Sequence, residues 1–295
     1  MRSVPRLAPE AWWPAGVAGV RATRVQLATG LGLRAIEAGP AQGPPVLLVH
    51  GWGIHSYLWR KTIPALVSGG WRVHAIDLPG HGLSDKPLAQ GSYTLAAMVD
   101  YVLAAMDTLG LAASPVVGQS MGGRIAAELA IRHPERVVSL VLFGAVGFGD
   151  APAVASLAPR LPGPTGSLTT LLSQRWIVAL GKAYSYGCRA AIAQEDIDAY
   201  WAATQFPAFV PALHRVLAEF DWRALTPAQL SAIRAPTLVV FGTRDRMVSP
   251  RRVASRVAAL RDGRLHLVQD AGHVANEEAP DEVNPLLVEF LSSAR

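Results

Sequence analysis

One serine stands where it could act as a nucleophile. In Gly118-Gln119-Ser120-Met121-Gly122-Gly123 it has a glycine two residues to either side. The apolar run Pro115–Gly118 leads into it, and a helical pattern through Ile125, Leu129 and Ile131 leads away. A strand that turns sharply into a helix leaves no room for side chains at those flanks, which accounts for Gly118 and Gly122. The helix start adds unpaired N–H donors and a positive dipole end. A serine hydroxyl is a weak nucleophile unaided and needs a base, and the base needs an acid to orient it.

Eight histidines are available. His273, in Asp270-Ala271-Gly272-His273-Val274, follows the last strand pattern and precedes the last helix. His50 ends an apolar run beside a glycine turn and reads as structural, and His81 sits in the loop Pro79-Gly80-His81-Gly82. Position therefore favours His273 as the base. Asp245 lies just past a strand end in Phe241-Gly242-Thr243-Arg244-Asp245 and is the preferred acid. Its rival is Asp150, which follows the preceding core strand but opens a helical stretch. A tetrahedral oxyanion needs fixed donors. The N–H of Met121 is one candidate. The other is the N–H of Trp52, in the turn His50-Gly51-Trp52-Gly53, with Gly51 and Gly53 as its motif glycines.

These residues need a frame that gathers strand ends. Arg24–Thr29 and Leu33–Glu37 alternate around Gly30-Leu31-Gly32 and read as an edge hairpin. Val46–His50, Val73–Asp77, Pro115–Gly118, Val137–Phe143 and Thr237–Phe241 are short continuous apolar runs, with Leu265–Val268 weaker. Such runs fit strands buried on both faces. Helical stripes separate them: Leu95, Met98, Val99, Val102 and Met106; Val253, Val257 and Leu260; Val283, Leu287 and Phe290. Alternating strands and helices imply an α/β fold with a mostly parallel sheet flanked by helices. Residues 148–235 offer only helical patterns, among them a face of Leu168, Leu171, Leu172 and Ala179. They are expected to form a helical lid inserted in a core of residues 1–147 and 236–295, over the strand C-termini where open α/β sheets bind ligands.

With these pieces in place, the chain resembles the α/β-hydrolase superfamily from about Ala22 to Phe290. The resemblance rests on His50-Gly51-Trp52-Gly53, on Asp77-Leu78-Pro79-Gly80-His81-Gly82-Leu83-Ser84-Asp85, on the Ser120 turn, on Asp245 and on Gly272-His273. The order Ser, Asp, His along the chain is also the superfamily's. It implies an α/β-hydrolase fold and a serine carboxylesterase-like activity with a lid and no cofactor. Haloalkane dehalogenases and epoxide hydrolases carry Asp where Ser120 stands, which argues against both. Met121-Gly122-Gly123 is similar to carboxylesterases and to meta-cleavage C–C bond hydrolases. The latter typically have Trp after the catalytic His, where this chain has Val274. Hydrolysis of carboxylic esters through an acyl-enzyme is therefore expected. A C–C bond hydrolase, an acyltransferase with the same triad, and a non-catalytic ligand-binding protein of the same fold stay open.

Composition narrows the classes further. Hydrophobic residues make up 51% of the 295 and charged residues 17%, enough apolar surface for a large core and too much for a disordered chain. The net charge is +5, but the arginines are scattered, so no nucleic-acid stripe is expected. Cys188 is the single cysteine and the histidines are dispersed, which excludes a disulfide framework and leaves no metal ligand set. The longest uncharged stretch, between Glu37 and Arg60, is broken by prolines and glycines, so no membrane span is expected. Pro9, Glu10 and Pro14 interrupt any signal-peptide core, so the chain is expected in the cytoplasm. Ala11–Val20, with Trp12 and Trp13, is expected to dock on the body of the protein. The expected partner is a small-molecule ester, with a homodimer left open. From Asp150 to Arg223 the six basic and six acidic residues cancel. With aromatic residues such as Trp176, Tyr184 and Trp201 in the same stretch, uncharged esters with small-to-medium apolar acyl groups are expected.

Overall fold

The computed structural model describes residues 6–149, 163–164 and 166–294. Eight strands form one sheet: β1 (Val20–Gln26), β2 (Gly32–Ala38), β3 (Pro45–Val49), β4 (Arg72–Ile76), β5 (Ser114–Gln119), β6 (Val137–Phe143), β7 (Thr237–Gly242) and β8 (Gly263–Val268). Their order is β1-β2-β4-β3-β5-β6-β7-β8. The β1/β2 hairpin and its junction to β4 are antiparallel, and every other pairing is parallel. The continuous apolar runs are the inner strands: β5 and β7 are buried along their whole length, whereas the edge strand β1 is buried only at Val25.

Helices make the parallel crossovers: α1 (Ile63–Ser68), α2 (Leu95–Thr108) and α3 (Met121–Arg132) early in the chain. The hydroxyl of Thr94 caps α2 by accepting from the Ala97 N–H at 3.2 Å. The stripe Met98, Val99, Val102 and Met106 faces inward. One core forms on the α2 and α3 side of the sheet. The other packs Trp59, Trp71 and Phe143 against the C-terminal helix.

From β3 the chain goes to β4 on one side and then crosses back to β5 on the other. The reversal opens a crevice at the C-terminal ends of β3 and β5, where open α/β sheets take ligands. The turn after His50 and the serine after Gln119 both stand at this point.

The chain leaves the sheet after β6 for a helical insertion: α4 (Gly166–Leu172), α5 (Arg175–Ser185), α6 (Gln194–Trp201) and α7 (Phe209–Glu219). It returns at Leu225, whose N–H donates to the Gly147 carbonyl at 3.0 Å. Helix α8 (Pro227–Ala232) then packs Leu230 into the core before β7. After β7 come α9 (Val253–Val257), β8, α10 (Ala275–Glu278) and α11 (Pro280–Ser293).

The N-terminal segment docks as the sequence suggests. Trp12 is buried against Phe209 and Val210, and the Gln205 amide exchanges hydrogen bonds with the backbone of Leu7. One stripe behaves otherwise. Of the face Leu168, Leu171, Leu172 and Ala179, the three leucines are exposed. Asp150 and Arg160 lie outside the described residues. Among the described residues, no helix is long and apolar enough to cross a membrane.

Candidate active site

Ser120 sits between β5 and α3 with φ 54° and ψ −116°, a conformation disfavoured for a residue with a side chain. The surroundings enforce it. Its N–H donates to the Phe143 carbonyl of β6 at 2.8 Å, and its carbonyl accepts from Val146 N–H at 3.1 Å. A Cβ on Gly118 would lie 2.6 Å from the Gly122 carbonyl, and one on Gly122 would strike the Val49 and His50 carbonyls. Both glycines are therefore dictated by close backbone approach, as their spacing implied. Met121 is the first residue of α3 and is fully buried, so its N–H has no acceptor within the helix.

Asp245 and His273 come together from two loops, after β7 and after β8. Oδ2 of Asp245 lies 2.8 Å from Nδ1 of His273, and both side chains are buried. Oδ1 of Asp245 accepts from the N–H groups of Met247 and Val248, each at 2.8 Å. The carboxylate is thereby fixed on one side and free to hold the ring on the other. With Nδ1–H donating to Asp245, the imidazole presents Nε2 as a base. Gly144 follows β6 directly, and a Cβ there would lie 2.9 Å from Nδ1 of His273. The end of β6 thus touches both the Ser120 backbone and the His–Asp pair.

His273 is also held by its backbone. Its N–H donates to the Ser185 carbonyl at the end of α5, at 2.7 Å. Its carbonyl accepts from Nε2 of Gln119 at 3.1 Å. Gln119, the motif residue to which spacing gave no role, ties the residue before the serine directly to the histidine loop.

The turn after β3 approaches the serine from the other side. A Cβ on Gly51 would lie 2.9 Å from the Ser120 Cβ. The Trp52 indole donates to the Leu213 carbonyl of α7 at 3.0 Å, which fastens this turn to the insertion. Gly53, at φ 74°, continues the turn in a left-handed conformation. His50 is structural: Nε2 accepts from Leu78 N–H at 2.9 Å, Nδ1 meets the Gly51 carbonyl, and burial pushes its pKa down.

A second buried cluster, which sequence reasoning missed, lies four residues beyond His273. Glu277 is fully buried and is met by Lys182 of α5, Arg60, and the hydroxyls of Tyr186 and Tyr200. Burial alone would raise its pKa, but the charges of Lys182 and Arg60 outweigh this and bring it down to about 2. Arg60 also pairs with Asp196 of α6 at 2.7 Å. Glu278 bridges Gly187 and Gly272 N–H groups at 2.8 and 2.7 Å. The insertion is therefore clamped to the histidine loop by charge and by backbone. The only sequence signal was the acidic pair Glu277-Glu278 next to a candidate base. Among the described residues, no group of three or more His, Cys, Asp or Glu could hold a metal ion.

The comparisons agree with this architecture. A family model described as alpha/beta hydrolase fold matches residues 44–280. The magnesium-chelatase 30 kDa subunit of Rhodobacter capsulatus is 31% identical over 273 residues, covering 87% of this chain and 89% of that protein. A haloalkane dehalogenase of Mycobacterium marinum is 31% identical over 269 residues, covering 86% and 87%. The solved structure of a membrane phospholipase A superposes with a TM-score of 0.79 at 26% identity, covering 95% of this chain and 88% of that one. An eight-stranded, mostly parallel sheet with a helical insertion, a serine between β5 and α3, and matches of this extent identify the chain as a member of the α/β-hydrolase family.

Proposed function

We propose that this serine hydrolase cleaves uncharged carboxylic esters through an acyl-enzyme on Ser120. In this reading His273 Nε2 takes the Ser120 hydroxyl proton as Oγ bonds to the ester carbonyl carbon. The N–H groups of Met121 and Trp52 hold the oxyanion, and Asp245 stabilises the imidazolium. The C–O bond to the alcohol breaks, and the alcohol leaves with the proton from His273. Water, deprotonated by the same ring, then releases the acid and frees Ser120. The observation that carries the reading is the 2.8 Å contact of a buried Asp245 with His273, at the strand end that also holds the Ser120 backbone.

One feature supports an uncharged ester over an acidic substrate. The charged groups clustered beyond His273 are two cations, Lys182 and Arg60, and two carboxylates, Glu277 and Asp196. They are committed to one another, so none offers a free charge to a substrate carboxylate. For an ester over a C–C bond, the support is Val274, which stands where the tryptophan typical of C–C bond hydrolases would be.

A panel of p-nitrophenyl esters of rising acyl length, with one dicarboxylate half-ester, tests the proposal. Each added CH₂ is expected to raise kcat/KM by up to roughly fourfold, from ~0.8 kcal/mol of burial, until the pocket ends. A flat series, or a maximum at the half-ester, would contradict it.

A further inference from the structure

Helix α5 is turned inside out relative to an ordinary surface helix. Its lysine, Lys182, is buried in the Glu277 cluster. Its large apolar residues Trp176, Leu180 and Tyr184, spaced by four, are 51%, 59% and 53% exposed. Leu168, Leu171 and Leu172 of α4, immediately before it in the chain, are exposed as well. Six large apolar side chains on two consecutive helices are more than the single exposed residues an ordinary surface carries.

The chain segments that carry this ridge are poor in acid, and the acid that meets α5 from α6, Asp198, is paired with Arg175 at 2.5 Å. No acidic residue occurs from Gly163 to Gln194. The formal neutrality of the insertion is an average of this acid-free half and an acid-rich half from Glu195 to Asp221. The Tyr184 hydroxyl donates to the Arg246 carbonyl at 3.1 Å, so the ridge abuts the loop that begins at Arg246. From Arg246 to Arg261 the chain again holds no acid, and Arg246, Arg251 and Arg252 are exposed. An apolar ridge edged by arginines is the composition of a segment that lies in a membrane interface: the rings and leucines enter the acyl boundary, and the arginines meet anionic headgroups.

We propose that the outward face of α4 and α5, together with the Arg246–Arg252 loop, docks on an anionic lipid bilayer. A second copy of the chain fits the face less well, because a symmetric contact would bring two arginine-edged, predominantly basic surfaces against each other. The proposal goes beyond the ester reading and does not depend on which bond Ser120 cleaves.

The test is co-sedimentation of the full chain carrying Ser120→Ala, which separates binding from turnover. Vesicles are of phosphatidylcholine alone or of phosphatidylcholine mixed with phosphatidylglycerol, at low and high salt. Binding is expected to the mixed vesicles at low salt and to weaken as salt rises. The triple variant Trp176→Ser, Leu180→Ser, Tyr184→Ser, and separately Arg246→Gln, Arg251→Gln, Arg252→Gln, should each weaken it by about tenfold or more. In the wild-type background both variants should keep the unfolding midpoint and the turnover of a dissolved short-chain ester, which shows that they are folded. Absence of binding to the mixed vesicles, equal binding to both vesicle types, or binding unchanged in the triple variants would overturn the proposal. So would a concentration-dependent dimer abolished by the apolar triple variant, which would assign the face to a second copy.

Discussion

Ser120 is held at a positive φ by Phe143, Val146 and two glycines that admit no Cβ. Removing its hydroxyl leaves those restraints in place, so Ser120→Ala should fold normally and lose activity by a factor on the order of 10³ or more. Steady-state kinetics on an activated ester checks this. Asp245→Asn keeps the shape but presents the wrong hydrogen-bonding pattern to Nδ1. It should cost roughly 10³-fold or more in kcat, far more than Asp150→Asn. At this scale the sequence is most legible where a residue type answers to a local constraint. Gly118 follows from crowding against Gly122 and Gly123, whereas Gly122 answers to the distant Val49 and His50 carbonyls and was legible through the motif around Ser120. Gln119 was opaque because its partner, the His273 carbonyl, lies 154 positions away. Glu277 was opaque because its meaning depends on a lysine and two tyrosines that only the folded insertion delivers.

Helix α5 carries two sets of contacts: Lys182 reaches Glu277, and Ser185 accepts the His273 N–H. The ion pair is buried on both sides, but without Lys182 the Glu277 carboxylate keeps Arg60 and the Tyr186 and Tyr200 hydroxyls. Lys182→Met is therefore expected to destabilise the fold by about 1–3 kcal/mol, less than a lone buried charge would cost. The double variant Lys182→Met, Glu277→Gln should lose less than the sum of the single losses, because their direct contact is counted in both single variants. A double-mutant cycle by chemical denaturation checks this, and strict additivity would contradict a direct pair. The loss should also reach catalysis through Ser185, lowering kcat more than it raises KM. Helical periodicity identified the elements of the insertion but could not orient them. Leu168, Leu171 and Leu172 of α4 share one helical face, yet that face stays exposed. The strands were more legible, because continuous apolar runs such as Val46–Val49 have one stable solution, burial on both faces.

Across the whole molecule, four histidines are held neutral by burial. His50, His74 and His81 have lowered pKa values, and that of His55 falls to about 4. In the unfolded chain each takes up a proton near pH 6.5, while the folded protein does not. The unfolded state then binds more protons, so stability falls as pH drops from about 6.5 toward 4. The slope approaches about 1.4 kcal/mol per pH unit for each histidine that stays neutral. Glu277 adds a second acid-side loss. Its carboxylate stabilises the fold above its unfolded pKa, and that contribution fades as pH falls toward about 2. Urea unfolding at a series of pH values checks both, and a flat profile between pH 7 and 4 would contradict the histidine reading. The alternation of strands and helices made the parallel sheet legible over the entire chain. The strand order, and with it the crevice between β3 and β5, was not, because it depends on which way each crossover folds back.

Ser120 is proposed as the single nucleophile, activated by His273. The most direct test is the reaction of the protein with a serine-directed phosphonate, read by intact mass and peptide mapping. One adduct is expected, on Ser120, absent in Ser120→Ala and formed far more slowly in His273→Ala. An adduct on another residue, or undiminished labelling of the Ser120→Ala protein, would contradict it.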